Sequence, residues 1–144
     1  MAQFKWGSKS LARLDSCHFE LRRLCHHLIS VSPHDLTVVW GWRNEEEQNA
    51  MFLSKASKKQ WPDSKHNHTD GEGHPMSLAI DLAPYINNTI PWNSNGQFYY
   101  MSGWVMAEAK LLEIPLRWGG DWDSDGNIGD QTFNDLGHFE LVDI

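Results

Sequence analysis

Three segments of this chain carry side chains of the kind that bind and use a metal ion. Ser64-Lys65-His66 offers an imidazole, and Ala79-Ile80-Asp81-Leu82-Ala83-Pro84-Tyr85 offers a carboxylate. Asp135-Leu136-Gly137-His138-Phe139-Glu140-Leu141 offers a second imidazole, with Asp135 three residues before it. Two histidines and one aspartate can hold a zinc ion and leave a fourth position open for water, the layout of a catalytic rather than a structural site. A spare carboxylate such as Asp135 is what hydrolysis needs as a general base. Asp81 is the most telling of the set, because it interrupts the apolar run Leu78-Ala79-Ile80-Asp81-Leu82-Ala83. A buried carboxylate is costly unless a cation or hydrogen-bond donors meet it. A salt bridge alone would satisfy Asp81, and a core position alone would explain His138. The occurrence of all three together favours the metal.

Elements must position these groups. Leu21, Leu24, Cys25, Leu28 and Ile29 repeat at helical spacing, which predicts a helix over 17–31 that Pro33 ends. Leu36–Trp40 is β-branched and aromatic and reads as a strand. Asn44 precedes three glutamates, so it caps a predicted helix over 45–54, with Glu47 completing the cap. Residues 55–76 are polar and read as a long loop, of a length that is usually functional in a compact domain. Leu78–Leu82 reads as a short buried strand, 97–113 as a second helix with Phe98, Met101, Val105 and Leu112 on one face, and Leu116–Trp118 and His138–Val142 as strands. The first residues read as a short polar start. Helices followed by a sheet that presents polar groups into one cleft make an α+β fold.

Bulk properties narrow the function. A chain of 144 residues reads as one domain. A net charge of −7 argues against nucleic acid as the partner. There is no apolar run long enough for a membrane span and no secretory signal pattern, so synthesis in a cytoplasm is expected. Cys17 and Cys25 lie eight residues apart. On one helix that is about 12 Å, too far for a disulfide, so both read as reduced thiols. Most of the eight tryptophans read as core, while Trp61, Trp92, Trp118 and Trp122 lie near the polar motifs and are candidates for lining a sugar or peptide groove.

With these residues in hand, the chain resembles the zinc peptidases of the D-Ala-D-Ala carboxypeptidase and VanY type. It is most similar to the branch of phage endolysins that act as L-alanyl-D-glutamate peptidases. The resemblance rests on the three segments above, on Gly41-Trp42-Arg43 with Gln48, and on Trp118-Gly119-Gly120-Asp121-Trp122, and it covers nearly the whole chain. It implies a small α+β domain with helices packed on an antiparallel sheet, like that of D-Ala-D-Ala peptidases and hedgehog domains. It implies zinc on His66, Asp81 and His138, Asp135 as catalytic base, and Arg43 as the group that helps hold the scissile carbonyl or its oxyanion. His74, seven residues before Asp81, keeps the short spacing common among relatives, whereas His66 lies fifteen before it. His66 has the Ser-x-His context and is preferred, with His74 as its rival and His68 behind both.

The resemblance further implies a monomeric endolysin cutting peptidoglycan stem peptides between L-Ala and D-Glu for host lysis. It would have no separate wall-binding domain, and would wait in the host cytoplasm until a membrane lesion admits it to the periplasm and cell wall. The alternatives are a D-Ala-D-Ala carboxypeptidase of cell-wall metabolism and a non-catalytic peptidoglycan-binding module. Finally, Asp121, Asp123, Asp125 and Asn127, with Gly126 between, follow the start of an EF-hand loop and are candidate calcium ligands. Thr132 stands where such a loop has its bidentate glutamate.

Overall fold

A computed structural model describes residues 4–144. The elements run α1 (Ser8–Asp15), α2 (Phe19–Val31), β1 (Asp35–Trp40), α3 (Glu45–Leu53), a 3-10 turn (Lys65–Asn67), β2 (Ala79–Tyr85), α4 (Asn95–Leu111), β3 (Leu116–Trp118) and β4 (His138–Leu141). The four strands form one antiparallel sheet in the order β1-β2-β4-β3. This is the expected α+β arrangement, with α1 and α4 packed against the sheet and α2 packed on both of these helices.

Alternation along the strands divides the sheet into two chemically different faces. Val38, Ile80, Leu82, Phe139 and Leu141 meet Leu21, Leu24 and Leu28 of α2 and Met101 and Val105 of α4 in one core. The intervening positions, Asp81 of β2, Arg117 of β3 and His138 and Glu140 of β4, form the other face. Asp81 and His138 are direct cross-strand partners, so the register of β2 with β4 alone brings two of the three candidate ligands together. A bulge in β1 between Val38 and Trp40 sets Trp40 opposite Asp81 and leads into Gly41-Trp42-Arg43, a place where a bulge re-aims the chain beside a site.

Several boundaries differ from the sequence expectation, each for a local reason. The polar start holds α1, whose buried residues are only Ser10 and Leu14. Ser10 Oγ accepts from the Val38 amide and shares a hydrogen bond with Thr37 Oγ1, so a hydroxyl helps dock this helix where a hydrophobic stripe would be looked for. α2 begins at Phe19 because the His18 ring caps it, accepting from the Glu20 amide. Cys17 therefore lies outside that helix, yet both thiols are free and buried. β2 runs on to Tyr85 through Pro84; β4 pairs with β2 only over 79–81, so the proline takes no place in that ladder. α4 starts at Asn95, capped by Ser94, and Ala109 is fully buried on it while Leu112 is its C-cap. The cap of α3 is as read: Asn44 Oδ1 accepts from the Glu47 amide and the Glu47 carboxylate accepts from the Asn44 amide. Among the described residues no helix is long and apolar enough to cross a membrane.

Candidate active site

His66 reaches the polar face of the sheet from the 3-10 turn. Ser64 caps that turn, its Oγ accepting from the His66 amide, and Asn67 answers by accepting from the Ser64 amide. The ring is almost fully buried, and its Nδ1 donates to the Gly41 carbonyl at 2.7 Å. A carbonyl only accepts, so the proton is on Nδ1 and the lone pair is on Nε2. That Nε2 is buried without a hydrogen-bond partner, 3.4 Å from Asp81 Oδ1. His138 is held from its far side, where Nε2 meets Glu140 Oε1 at 2.8 Å while Nδ1 faces Asp81 Oδ1 at 3.0 Å. One ligand atom from each of His66, Asp81 and His138 lies within 4.8 Å of the others. An orphaned imidazole nitrogen, a second imidazole and a carboxylate aimed at one point fit a divalent cation. Each imidazole is also oriented by a partner on its other nitrogen, the usual support of a metal-binding histidine.

The electrostatics agree with this geometry. Burial pushes the His66 imidazole below its ordinary value, which keeps it neutral. Burial would raise Asp81, but the two imidazoles hold its carboxyl well below the usual carboxylate range. Burial would lower His138, but its hydrogen bonds to Asp81 and Glu140 raise it to about 9. A cation would have to displace the Nδ1 proton of His138. Asp135 Oδ2 lies 3.9 Å from His138 Nδ1. Burial first, then the charge of Asp81, pushes the Asp135 carboxyl up to about 6, against the pull of His138 and Arg43. A carboxyl near neutrality beside an open cleft is suited to taking and returning a proton.

These groups line a cleft of about 500 Å³. Its walls include Arg43, His66, His138, Glu140 and Asp135, together with Ser57, Lys58, Lys59, Trp122 and Phe133. Arg43 is buried; its Nη2 donates to Asp81 Oδ2 at 2.9 Å and its Nη1 to Gln48 Oε1 at 3.2 Å. Its planar group also lies 5.0 Å over the Trp40 ring.

Residues 1–142 match the model of the family described as phage L-alanyl-D-glutamate peptidase. The chain belongs to that family. It is 34% identical over 142 residues to the L-alanyl-D-glutamate peptidase of Escherichia phage T5, an alignment covering 96% of this chain and 98% of the relative. In fold it is similar to the crystal structure of the Serratia marcescens L-Ala D-Glu endopeptidase ChiX, with a TM-score of 0.73, 21% identity, and 96% and 90% of the two chains covered.

Within this phage peptidase domain, the structure sets His66, His138, Asp135 and Arg43 on one cleft with Asp81 beside the two imidazoles, and leaves the rival histidines His74 and His68 out of the group. His74 is 68% exposed and pairs with Asp70 and Glu72. His68 turns its Nδ1 to the Met76 carbonyl. The stretch after His66 closes on itself, with Thr69 bridging Pro75. Asp121, Asp123 and Asp125 are gathered into a second cluster. There the Asp121 carboxylate accepts from the Asp125 and Gly126 amides, and Asn127 Oδ1 accepts from the Gly129 amide. Of the four tryptophans near the motifs, Trp122 lines the cleft and leans on His138 at 5.4 Å, Trp118 is core, Trp61 packs on Trp42, and Trp92 is exposed beside a second hollow.

Two supporting residues had no role assigned from the sequence. Glu140 binds His138, Arg117 at 2.6 Å and Lys65 at 3.2 Å. Burial would raise its carboxyl, but the bonds from His138 and Arg117 hold it far below the usual range. Its signal was legible, since a carboxylate two residues along a strand from a histidine shares that histidine's face. Gln48 is fully buried and joins Arg43, Asn67, Ser57 and the Lys59 carbonyl. A lone glutamine inside a short helix with no buried apolar residue gives no such signal.

Proposed function

We propose that this chain is a zinc-dependent endolysin that hydrolyses the amide bond between L-alanine and D-glutamate in peptidoglycan stem peptides. His66 Nε2, Asp81 and His138 Nδ1 would hold the ion. Two imidazoles and a carboxylate with room beside them suit zinc, which when bound supplies Lewis acidity toward water and the scissile carbonyl. Asp135 accepts a proton from the attacking water on its carboxylate oxygen and delivers it to the departing amine nitrogen, as the water oxygen joins the carbonyl carbon and the C–N bond breaks. Arg43 fixes the orientation of Asp81, and its charge on the cleft wall favours the oxyanion as it forms. Glu140 and the Gly41 carbonyl keep both imidazoles turned with the correct nitrogen inward.

The observation that carries this reading is the convergence of His66, Asp81 and His138 with Asp135 at their edge, in a chain of this family. The test is product analysis on purified peptidoglycan with the metal content of the protein measured. New L-alanine carboxyl ends and D-glutamate amino ends are expected. Free D-alanine would instead identify a D-Ala-D-Ala carboxypeptidase, and binding without cleavage a non-catalytic module.

The acidic loop extends the proposal. Asp121, Asp123, Asp125 and Asn127 would take a calcium ion, supported by the ordered spacing of the carboxylates and by Gly126 at φ +80° in the turn. Calorimetry that detects no binding at millimolar calcium would remove this part. In the cell the enzyme would act as a monomer, accumulating in the host cytoplasm and reaching the wall after the membrane is breached.

A further inference from the structure

The protein carries a net charge of −7, yet Arg43, Lys58, Lys59, Lys65 and Arg117 all line its cleft. Three of these cations are already committed. Arg43 is bound to Asp81. Lys65 and Arg117 share Glu140, and Lys65 also donates to the Leu141 carbonyl. Lys58 and Lys59 are different: among the described residues, no carboxylate lies within 4.0 Å of either ammonium. The acids on the same lining do not answer them. Glu140 is occupied, Asp130 is held by Gln131 Nε2, and Asp135 lies beside His138.

Lys58 is nevertheless placed rather than loose. Its Nζ sits 4.4 Å above the centre of the Phe133 ring. Phe133 is stacked on Trp122, ring planes 17° apart, and Trp122 in turn packs on His138. The Trp122 Nε1 donates to the Phe133 carbonyl at 2.7 Å, which fixes the pair. The backbone under Lys58 is pinned on both sides, since Gln48 Nε2 donates to Ser57 Oγ at 2.9 Å and to the Lys59 carbonyl at 2.7 Å. A cation over an aromatic face keeps its N–H donors for a second partner. An unpaired ammonium held on the lining of the cleft is therefore an anion site in waiting.

The substrate supplies the anion. When D-glutamate gives its amine to L-alanine, one of its two carboxyl groups continues the peptide and the other stays free. A negative charge therefore travels within one residue of the scissile bond, on the leaving-group side. In this cleft Asp130 and Asp135 repel it, and Arg43, Lys65 and Arg117 are already paired with Asp81 and Glu140. We propose that Lys58, flanked by Lys59, is the carboxylate subsite: its ammonium binds the free carboxylate of the D-glutamyl residue and so selects an acidic peptide. The assignment rests on the peptidase reading above.

The test compares two stem peptides that differ at one group, the free D-glutamyl carboxylate and its carboxamide. Steady-state kinetics are measured for the wild type, Lys58→Met, Lys58→Arg and the double variant Lys58→Met/Lys59→Met. Methionine keeps an apolar stem over Phe133, and arginine keeps the charge. The wild type is expected to prefer the carboxylate peptide. Lys58→Met lowers kcat/KM on it by about tenfold, through KM, the size of one charge-assisted contact. Its preference between the two peptides collapses, further so in the double variant, while Lys58→Arg retains it. A double variant that keeps the wild-type preference, or a Lys58→Met loss equal on both peptides, overturns the subsite. Wild-type cleavage of both peptides at equal rates also overturns it and leaves the peptidase reading standing. A wild type that releases L-alanine carboxyl ends from neither peptide overturns both.

Discussion

Gly119→Ala should disable the enzyme without touching any ionisable group. A Cβ on Gly119 would lie 2.2 Å from the Asp135 carbonyl oxygen and 3.0 Å from the Asp135 Cβ. An ordinary carbon contact needs well over 3 Å, so one backbone must retreat by about 1 Å. Neither is free to do so. The Gly119 amide donates to the His138 carbonyl and the Asp135 amide donates to the Gly119 carbonyl, each at 2.8 Å. The least resistant movement carries Asp135 outward, away from its place 3.9 Å from His138 Nδ1. A catalytic group displaced by about 1 Å costs about 100-fold in rate. Overpacking of this kind costs about 1–3 kcal/mol in stability, a fall of several degrees in Tm. Single-turnover cleavage of purified peptidoglycan, thermal melting and metal content are the three readouts. The expected pattern is slow cleavage, a modest Tm loss and retained metal, because the three atoms nearest the added Cβ all belong to Asp135 and none to a candidate ligand. Gly96→Ala serves as control, since a Cβ there meets nothing within 4 Å. A folded Gly119→Ala enzyme with a rate within about threefold of wild type would refute the reasoning, because that change is far below the factor expected for a shifted base.

Asp135→Asn should keep the metal and lose most activity, while Asp81→Asn loses both; equal metal loss in the two, measured by elemental analysis, would contradict this division of labour. Glu140→Gln should weaken metal binding by about 10–100-fold in a chelator competition, since it loosens the ring of His138 without removing a ligand. Gly103, exposed within α4 and with open space around it, should gain about 0.5–1 kcal/mol on replacement by alanine, seen as a raised Tm at unchanged activity. Burial pushes the Cys17 thiol up to about 12 and raises Cys25 well above its ordinary value, so neither should react with a thiol reagent at pH 8 until the protein is denatured.

What could be read in advance follows from how local each signal was. Asp81 and His138 stood out because each puts a polar group into an apolar strand, and the sheet register then joined them. The cap of α3 was legible because Asn44 and Glu47 satisfy each other within four residues. The preference for His66 over His74 was only half legible. Spacing along the chain favoured one and the serine context the other, and what the fold adds is the Gly41 carbonyl that turns the His66 Nε2 toward Asp81. α1 escaped because Leu14 is its one buried apolar residue and the Ser10 hydroxyl helps with the rest of the docking. Arg43 was anticipated as a partner of the substrate, and its contacts show a guanidinium also occupied with Asp81 and Gln48. No pattern in one sequence announces that Gln48 braces both the arginine and the loop bearing Lys58.

The excursion that follows His66 leaves and re-enters the fold at adjoining points, because the Met76 amide donates to the His68 carbonyl and the Asp70 amide to the His74 carbonyl. Its two ends are stapled before the tip begins, so the tip can change without the histidine in front of it moving. Doubling the length of such a loop costs only about 0.6 kcal/mol in closure entropy. The segment is thus a natural attachment port beside the cleft, where a foreign wall-binding or targeting peptide could be spliced in while the 3-10 turn before it and β2 after it keep His66 and Asp81 in place.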